Sequence, residues 1–173
     1  AIDPGMGWPT FLRCVRHTEP EALVGIPAAN WLSRVPLPAF RSLRIRIKVG
    51  TAKWRRLRAQ CASAEPRPLA DVAPAAPAAI LFTSGSTGAP KGVVLTQRAL
   101  FWNAVNSTHM HDLISADRVL TTLPMFHVGA LNPVLCCIYG GCSITILKAF
   151  DPLQSWELIR DEQITITLMV PVM

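Results

Sequence analysis

Several things are missing from this chain, and each absence excludes something. No run of about 18 apolar residues occurs, which rules out a membrane-spanning helix. The start, Ala1-Ile2-Asp3-Pro4-Gly5, has neither a basic region nor an apolar stretch, so it is not read as a signal peptide. It also lacks an initiator methionine, and the end, Met169-Val170-Pro171-Val172-Met173, stops at an apolar strand. Both ends look cut, and the chain is read as a fragment of something longer. Cysteines Cys14, Cys61, Cys136, Cys137 and Cys142 show no metal-ligand spacing, and neither do His17, His109, His111 and His127. No metal site is expected, and the thiols are expected to be buried and free in a reducing cytoplasm. His109-x-His111 reads as the solvated end of a helix.

Acidic residues are scarce too. Eleven Asp and Glu stand against 17 Lys and Arg, for a net charge of +6. The excess is concentrated in Arg41, Arg44, Arg46, Lys48, Lys53, Arg55, Arg56 and Arg58. A basic patch of this kind can attract nucleic acid or a membrane surface. Only Trp54 is interleaved as an aromatic, so base stacking has little support and no nucleic-acid partner is expected. Arg44-Ile45-Arg46-Ile47-Lys48-Val49 alternates with period two, which puts its charges on one face of a strand. A solvated edge strand guarded by cations is the simpler reading. Peripheral contact with a membrane stays open.

What is present is an apolar majority. Half of the 173 residues are hydrophobic and 16% are charged, enough for one folded domain and too apolar for disorder. Trp8, Phe11, Leu12 and Val15 recur at helical spacing, so residues 8–18 read as a helix ending before Pro20. A strand over 22–26, a helix over 28–35 and the basic strand over 42–49 follow. From Cys61 to Ala79 the composition shifts to Pro and Ala, with prolines at 66, 68, 74 and 77. That stretch reads as a linker between an α/β segment, 1–60, and a second α/β subdomain, 80–173.

The second half alternates strand and helix. Strands are expected over 78–83, 93–95, 118–123, 142–147 and 164–170. Helices are expected over 97–109, capped by Thr96, over 128–139, closed by Gly140-Gly141, and over 152–162, capped by Asp151. Alternation with short connections predicts an α/β fold with largely parallel sheet layers and flanking helices.

Two stretches carry chemistry. Ile80–Gly92 reads ILFTSGSTGAPKG: an apolar strand feeding a loop of hydroxyls and glycines that ends in Pro90-Lys91-Gly92. Glycines allow close backbone approach, successive amides form an anion-binding concavity, and Lys91 adds a point charge. The loop is built for a polyanion. It is not the P-loop G-x-x-x-x-G-K-[ST], because Lys91 is followed by Gly92. The second stretch, Leu123-Pro124-Met125-Phe126-His127-Val128-Gly129, follows the C-terminal end of a strand, where open α/β sheets bind ligands.

Thr83-Ser84-Gly85-Ser86-Thr87-Gly88-Ala89-Pro90-Lys91-Gly92 resembles the phosphate-binding signature of the adenylate-forming superfamily, unbroken over its ten positions. The Phe126-His127 pair, Asn132, Tyr139-Gly140-Gly141 and Phe150-Asp151-Pro152 are similar in order and spacing to fatty-acyl-CoA synthetases within it. Asp3–Gly7 and Glu21–Pro27 look like long-chain acyl and β-lactone-forming ligases. The resemblance implies part of that superfamily's large N-terminal domain. It also implies ATP-dependent activation of a carboxylic acid to an acyl-adenylate, then transfer to coenzyme A. Thr83, Ser84, Gly85, Ser86, Thr87, Gly88 and Lys91 would bind ATP phosphates. Lys91 and His127 would be the catalytic residues, and Phe126, His127 and Gly129 would line the acyl site. Mg²⁺ would be held by residues outside this chain. A β-lactone synthetase, an adenylation domain that loads a carrier protein, and a non-catalytic nucleotide-binding module remain open. Gln97 departs from relatives that carry histidine there.

Overall fold

The computed structural model of the protein describes residues 2–66, 68–83 and 90–171. The chain divides into two compact units, one of residues 2–71 with 84–91, the other of 72–83 with 92–173.

In the first unit, helix α1 spans Trp8–Thr18, strand β1 Ala22–Gly25, helix α2 Pro27–Leu32, strand β2 Ile45–Lys48 and helix α3 Ala52–Ser63. A short 3₁₀ turn, Pro4–Met6, is capped by the Asp3 carboxylate accepting from the Gly5 amide. β1 and β2 are parallel, with Ala22 opposite Ile45 and Gly25 opposite Lys48. Val15, Ala39, Phe40 and Leu43 form the buried cluster, and Phe11, Leu12, Leu23 and Leu37 pack against it.

The basic strand is not a simple solvated face. Arg46 is half-buried, and its guanidinium donates to Ser33 Oγ (3.0 Å), the Ser33 carbonyl (3.1 Å) and the Leu43 carbonyl (3.1 Å). It thus places a cation at the C-terminal end of α2, where the helix dipole favours one. Fully buried Asn30 completes the tie, donating to the carbonyls of Gly25, Ile26 and Ile47. Arg46 therefore works as a clamp between β2 and α2, and the period-two reading of its charge is corrected accordingly. Helix α3 was not expected at all. Thr51 caps it by accepting from the Trp54 amide (3.2 Å), and none of its residues is buried. It extends to Ser63, into the stretch read as linker.

In the second unit, strands β3 (Pro77–Thr83) and β4 (Lys91–Thr96) pair with each other. Helix α4 spans Gln97–Met110, β5 Arg118–Thr121, α5 Val128–Gly140, β6 Ser143–Ile146, α6 Pro152–Asp161 and β7 Ile166–Leu168. The three-stranded sheet has the order β6-β5-β7, all parallel, with Thr121 opposite both Ile146 and Leu168. β5 is central and buried: Val119 and Leu120 are 3% and 1% exposed. The caps fall where the residue types call for them. Thr96 Oγ1 accepts from the Ala99 amide, Asp151 from the Gln154 amide, and Gly141 closes α5 in the left-handed region at φ 72°. The first amides of α4 are used by the proline-rich approach: Gln97 donates to the Ala76 carbonyl and Arg98 to that of Pro74.

The N-terminal edge of the three-stranded sheet is bracketed by Asp117. Its carboxylate accepts from the Ile114 amide (2.8 Å) and the Thr165 hydroxyl (2.7 Å), while its carbonyl accepts from the Ser143 amide (3.1 Å). Those donors, the Ile114 amide first, hold its carboxyl below the usual carboxylate range.

Two measurements check this fold. Arg46→Lys keeps the charge but loses the planar fork, so denaturant unfolding should show about 1–3 kcal/mol less stability; an unchanged midpoint would sink the clamp. A carboxyl whose folded value is depressed contributes stability above the ordinary range, and that contribution is lost as pH falls through the folded value. Asp117→Asn should therefore lower the thermal midpoint at neutral pH and flatten its fall in acid. An equally steep acid limb in the variant would show that Asp117 is not the group responsible.

Candidate functional site

The candidate site begins where two strands end. β3 ends at Thr83 and β4 starts at Lys91, and both residues are exposed. Ser84, Gly85, Ser86, Thr87 and Gly88 lie outside the described residues. Gly92 has a packing reason to be glycine. A Cβ there would come within 3.2 Å of both Ile80 Cγ2 and Phe82 Cε1, so the bare backbone makes room for the β3 side chains.

A second candidate segment leaves the C-terminal end of β5. Register places the ends of β5, β6 and β7 along one edge of the sheet, and the 122–127 and 147–151 connections both start there. That is the edge at which parallel sheets take ligands. Here Thr121 Oγ1 is buried with no hydrogen-bond partner among the described residues, at a residue 2% exposed. Unpaired buried hydroxyls are uncommon in folded proteins, and one at this edge stands out from ordinary packing.

Beyond it the chain makes a tight turn: the His127 amide donates to the Pro124 carbonyl (3.0 Å). His127 then becomes the N-cap of α5. Its carbonyl accepts from the Ala130 and Leu131 amides, and its ring nitrogen Nδ1 accepts from the Gly129 amide at 3.2 Å. Met125 and His127 are exposed and Phe126 is half-buried. Gly129 is there for space: a Cβ would lie 2.7 Å from Leu123 Cδ1. The structure thus gathers Phe126, His127 and Gly129 into one turn. Leu123, whose side chain sets the glycine requirement, was missed as a determinant; the apolar-Pro junction at the strand end was its only signal.

α5 is held in place from behind. Asn132 donates to Ser107 Oγ of α4 (3.2 Å), Asn103 donates to Asn132 Oδ1, and the Cys136 thiol donates weakly to the same oxygen (3.7 Å). Pro133 sits inside the helix and has no amide for the Gly129 carbonyl. Burial pushes the thiols of Cys14 and Cys136 up, and that of Cys137, with Cys142 beside it, up to about 12. Cys61 is exposed, contrary to the expectation of buried thiols. Among the described residues no group of three or more His, Cys, Asp or Glu is placed to hold a metal, and no helix is long and apolar enough to cross a membrane.

Comparison with known proteins gives the family and the fold. The model of the AMP-binding enzyme family matches residues 1–173. Indoleacetate–CoA ligase of Aromatoleum aromaticum is 46% identical over 101 residues, covering 58% of this chain and 20% of that protein. 4-Coumarate–CoA ligase 5 of Oryza sativa is 34% identical over 172 residues, covering 90% of this chain and 32% of that protein. Among solved structures, the N-terminal domain of FACL13 from Mycobacterium tuberculosis superposes with a TM-score of 0.82 at 27% identity, over 99% of this chain and 43% of that one. The chain belongs to the AMP-binding enzyme family, and its fold is that of part of the N-terminal domain of adenylate-forming enzymes. It spans a fifth to a third of the length of these two ligases.

The glycine contact gives a direct test. Gly129→Ala should cost about 1–2 kcal/mol through crowding against Leu123. In a Leu123→Ala background that cost should largely vanish, a coupling of at least ~0.5 kcal/mol by double-mutant cycle. Additive effects would show that Leu123 is not the constraint.

Proposed function

We propose that this member of the AMP-binding enzyme family is the phosphate-loop and acyl-site portion of an AMP-forming acid–thiol ligase, read as a fatty-acyl-CoA synthetase. The reading is supported by two chemically distinct segments, each taken by itself. Thr83 ends one strand of a pair and Lys91 begins the other, and the Phe126–Gly129 turn leaves the C-terminal end of the central parallel strand. The 46% identical relative is itself a CoA ligase.

In this reading a carboxylate oxygen attacks the α-phosphorus of ATP. The bond to the β-phosphate oxygen breaks, pyrophosphate leaves, and the mixed anhydride is the acyl-adenylate. The thiol sulfur of coenzyme A then attacks the acyl carbon, AMP departs, and the thiol proton is lost. The barrier to the first step is the approach of an anion to a polyanion. Lys91, the hydroxyls of Thr83, Ser84, Ser86 and Thr87, and the amides at Gly85 and Gly88 would hold the phosphates and offset that repulsion before the reaction begins. Phe126 and His127 would flank the acyl group, with Gly129 keeping the wall thin. ATP, coenzyme A and a carboxylic acid are the partners. The reading keeps the protein in the cytoplasm. The 173 residues alone would not turn over, because adenine, ribose and Mg²⁺ would be held by segments outside them.

Pyrophosphate release by the full-length protein tests the reading across a panel of aliphatic and aromatic acids. Lys91→Ala should lower kcat/KM by ~10²–10³-fold, the range for losing one preorganised donor, without moving the thermal midpoint. Product analysis with and without coenzyme A should show a thioester only when the thiol is present. Lys91-independent turnover, or a product that ignores coenzyme A, would overturn the assignment.

A further inference from the structure

The basic run of the first unit has no part in the proposed activity. Between Glu21 and Glu65 the sequence holds nine lysines and arginines and no acidic residue. Arg46 is committed to its clamp on α2. Helix α3 carries the densest part of the rest, Lys53, Arg55, Arg56 and Arg58, and none of its residues is buried. Among the described residues the only ion pair is Arg160–Asp161, so these four exposed cations are uncompensated. Their placement works against the helix. Lys53 and Arg55 stand near its positive dipole end, with no acid in the first turn. Lys53 with Arg56, and Arg55 with Arg58, are like charges three residues apart on the helix surface. Lys53 and Arg56, together with Leu57 and Gln60, border an open groove of about 530 Å³ along α3.

We propose that α3 is a docking surface for an anionic lipid bilayer, with Lys53, Arg55, Arg56 and Arg58 taking lipid phosphates and Leu57 beside them at the headgroup boundary. Cations that repel one another and oppose the helix dipole destabilise the free helix. A surface of negative charge offsets both effects, and each cation held near it adds to the attraction. Charge alone would suit a nucleic acid equally well. Two features of the helix favour the bilayer. Trp54, its one aromatic residue, is half-buried, so no fully exposed ring is offered for stacking on bases. Leu57 is 39% exposed among the cations, where it can meet the acyl boundary but gains nothing from a sugar–phosphate backbone. With Trp54 half-buried, helical spacing turns Lys53, Arg55 and Arg56 outward, and Arg58 reaches round from the flank on its long stem. The contact is electrostatic, hence reversible and weakened by salt. It is independent of which acid the protein activates.

Co-sedimentation of the full-length protein with vesicles is the test. Phosphatidylcholine vesicles should leave it in solution, vesicles that also contain phosphatidylserine should carry it down, and added KCl should release it. The triple variant Arg55→Gln, Arg56→Gln, Arg58→Gln should partition ~10²-fold more weakly, from roughly fivefold per cation near an anionic surface. Lysine at the same three positions keeps the charge and should keep the binding. Since no residue of α3 is buried, both variants should retain the wild-type thermal midpoint. Equal partition onto phosphatidylcholine alone, undiminished binding by the glutamine variant, or no sedimentation with phosphatidylserine at low salt overturns the proposal. So does duplex DNA held more tightly than the phosphatidylserine vesicles through the same arginines, which would make α3 a nucleic-acid surface. Should the glutamine variant fail to fold, the wild-type protein still decides: vesicle binding indifferent to KCl, or to phosphatidylserine, overturns the docking surface.

Discussion

The parallel pairing of β5 on both of its edges is the constraint on which the larger unit depends. A parallel strand needs a crossover to reach its neighbour, and helices α5 and α6 make those crossovers between β5 and β6 and between β6 and β7. Once Arg118–Thr121 is bonded to β6 and β7, the chain must enter at one end of the sheet and leave at the other. Asp117 and Thr165 gather the entering ends with hydrogen bonds to side chain and backbone. The leaving end is given over to turns.

At that leaving end, each residue of the turn answers to two demands. Pro124 supplies the carbonyl that closes the turn on His127. His127 caps a helix and is left exposed. Gly129 gives its amide to the ring, and its lack of a side chain admits Leu123. A single substitution here would disturb the turn and helix initiation at once. Asn132 and Ser107 behind the helix meet a simpler need, matching polar atoms between α4 and α5.

Much of the fold could be read from residue types, because its helices begin and end on local rules. Thr96, Asp151 and Gly141 cap as such residues do, and Pro152 opens α6. The strands were located to within a few residues, since apolar β-branched runs bounded by turns are local signals too. α3 escaped for a physical reason. Lys53, Arg55, Arg56 and Arg58 leave little apolar periodicity, and no residue of the helix is buried. Its Thr51 cap and lack of internal breakers were the evidence available. Arg46 escaped because alternation predicts a face but not a partner. Only the meeting of β2 with the end of α2, from a different part of the chain, reveals its three carbonyl and hydroxyl acceptors.

The candidate site was legible in a more uneven way. Hydroxyls, glycines and a lysine between two strands point to a polyanion through general chemistry, and the likeness to a family narrows the polyanion to ATP. Neither route separates the glycines that serve a ligand from those that serve packing. Gly92 ends the motif, yet the reason visible here is the Phe82 ring and the Ile80 methyl group lying over it. Gly129 looks like part of an acyl wall, yet Leu123 alone suffices to require it. A motif therefore records two superposed constraints, one from what binds and one from the strands that present it. The two come apart only when the neighbours of each bare α-carbon are known. The same holds for His127, whose residue type suggests proton transfer while its bond to the Gly129 amide commits one nitrogen elsewhere. Chemistry assigned from a residue's type is thus an upper bound on what it can do, and local backbone geometry selects from within that bound.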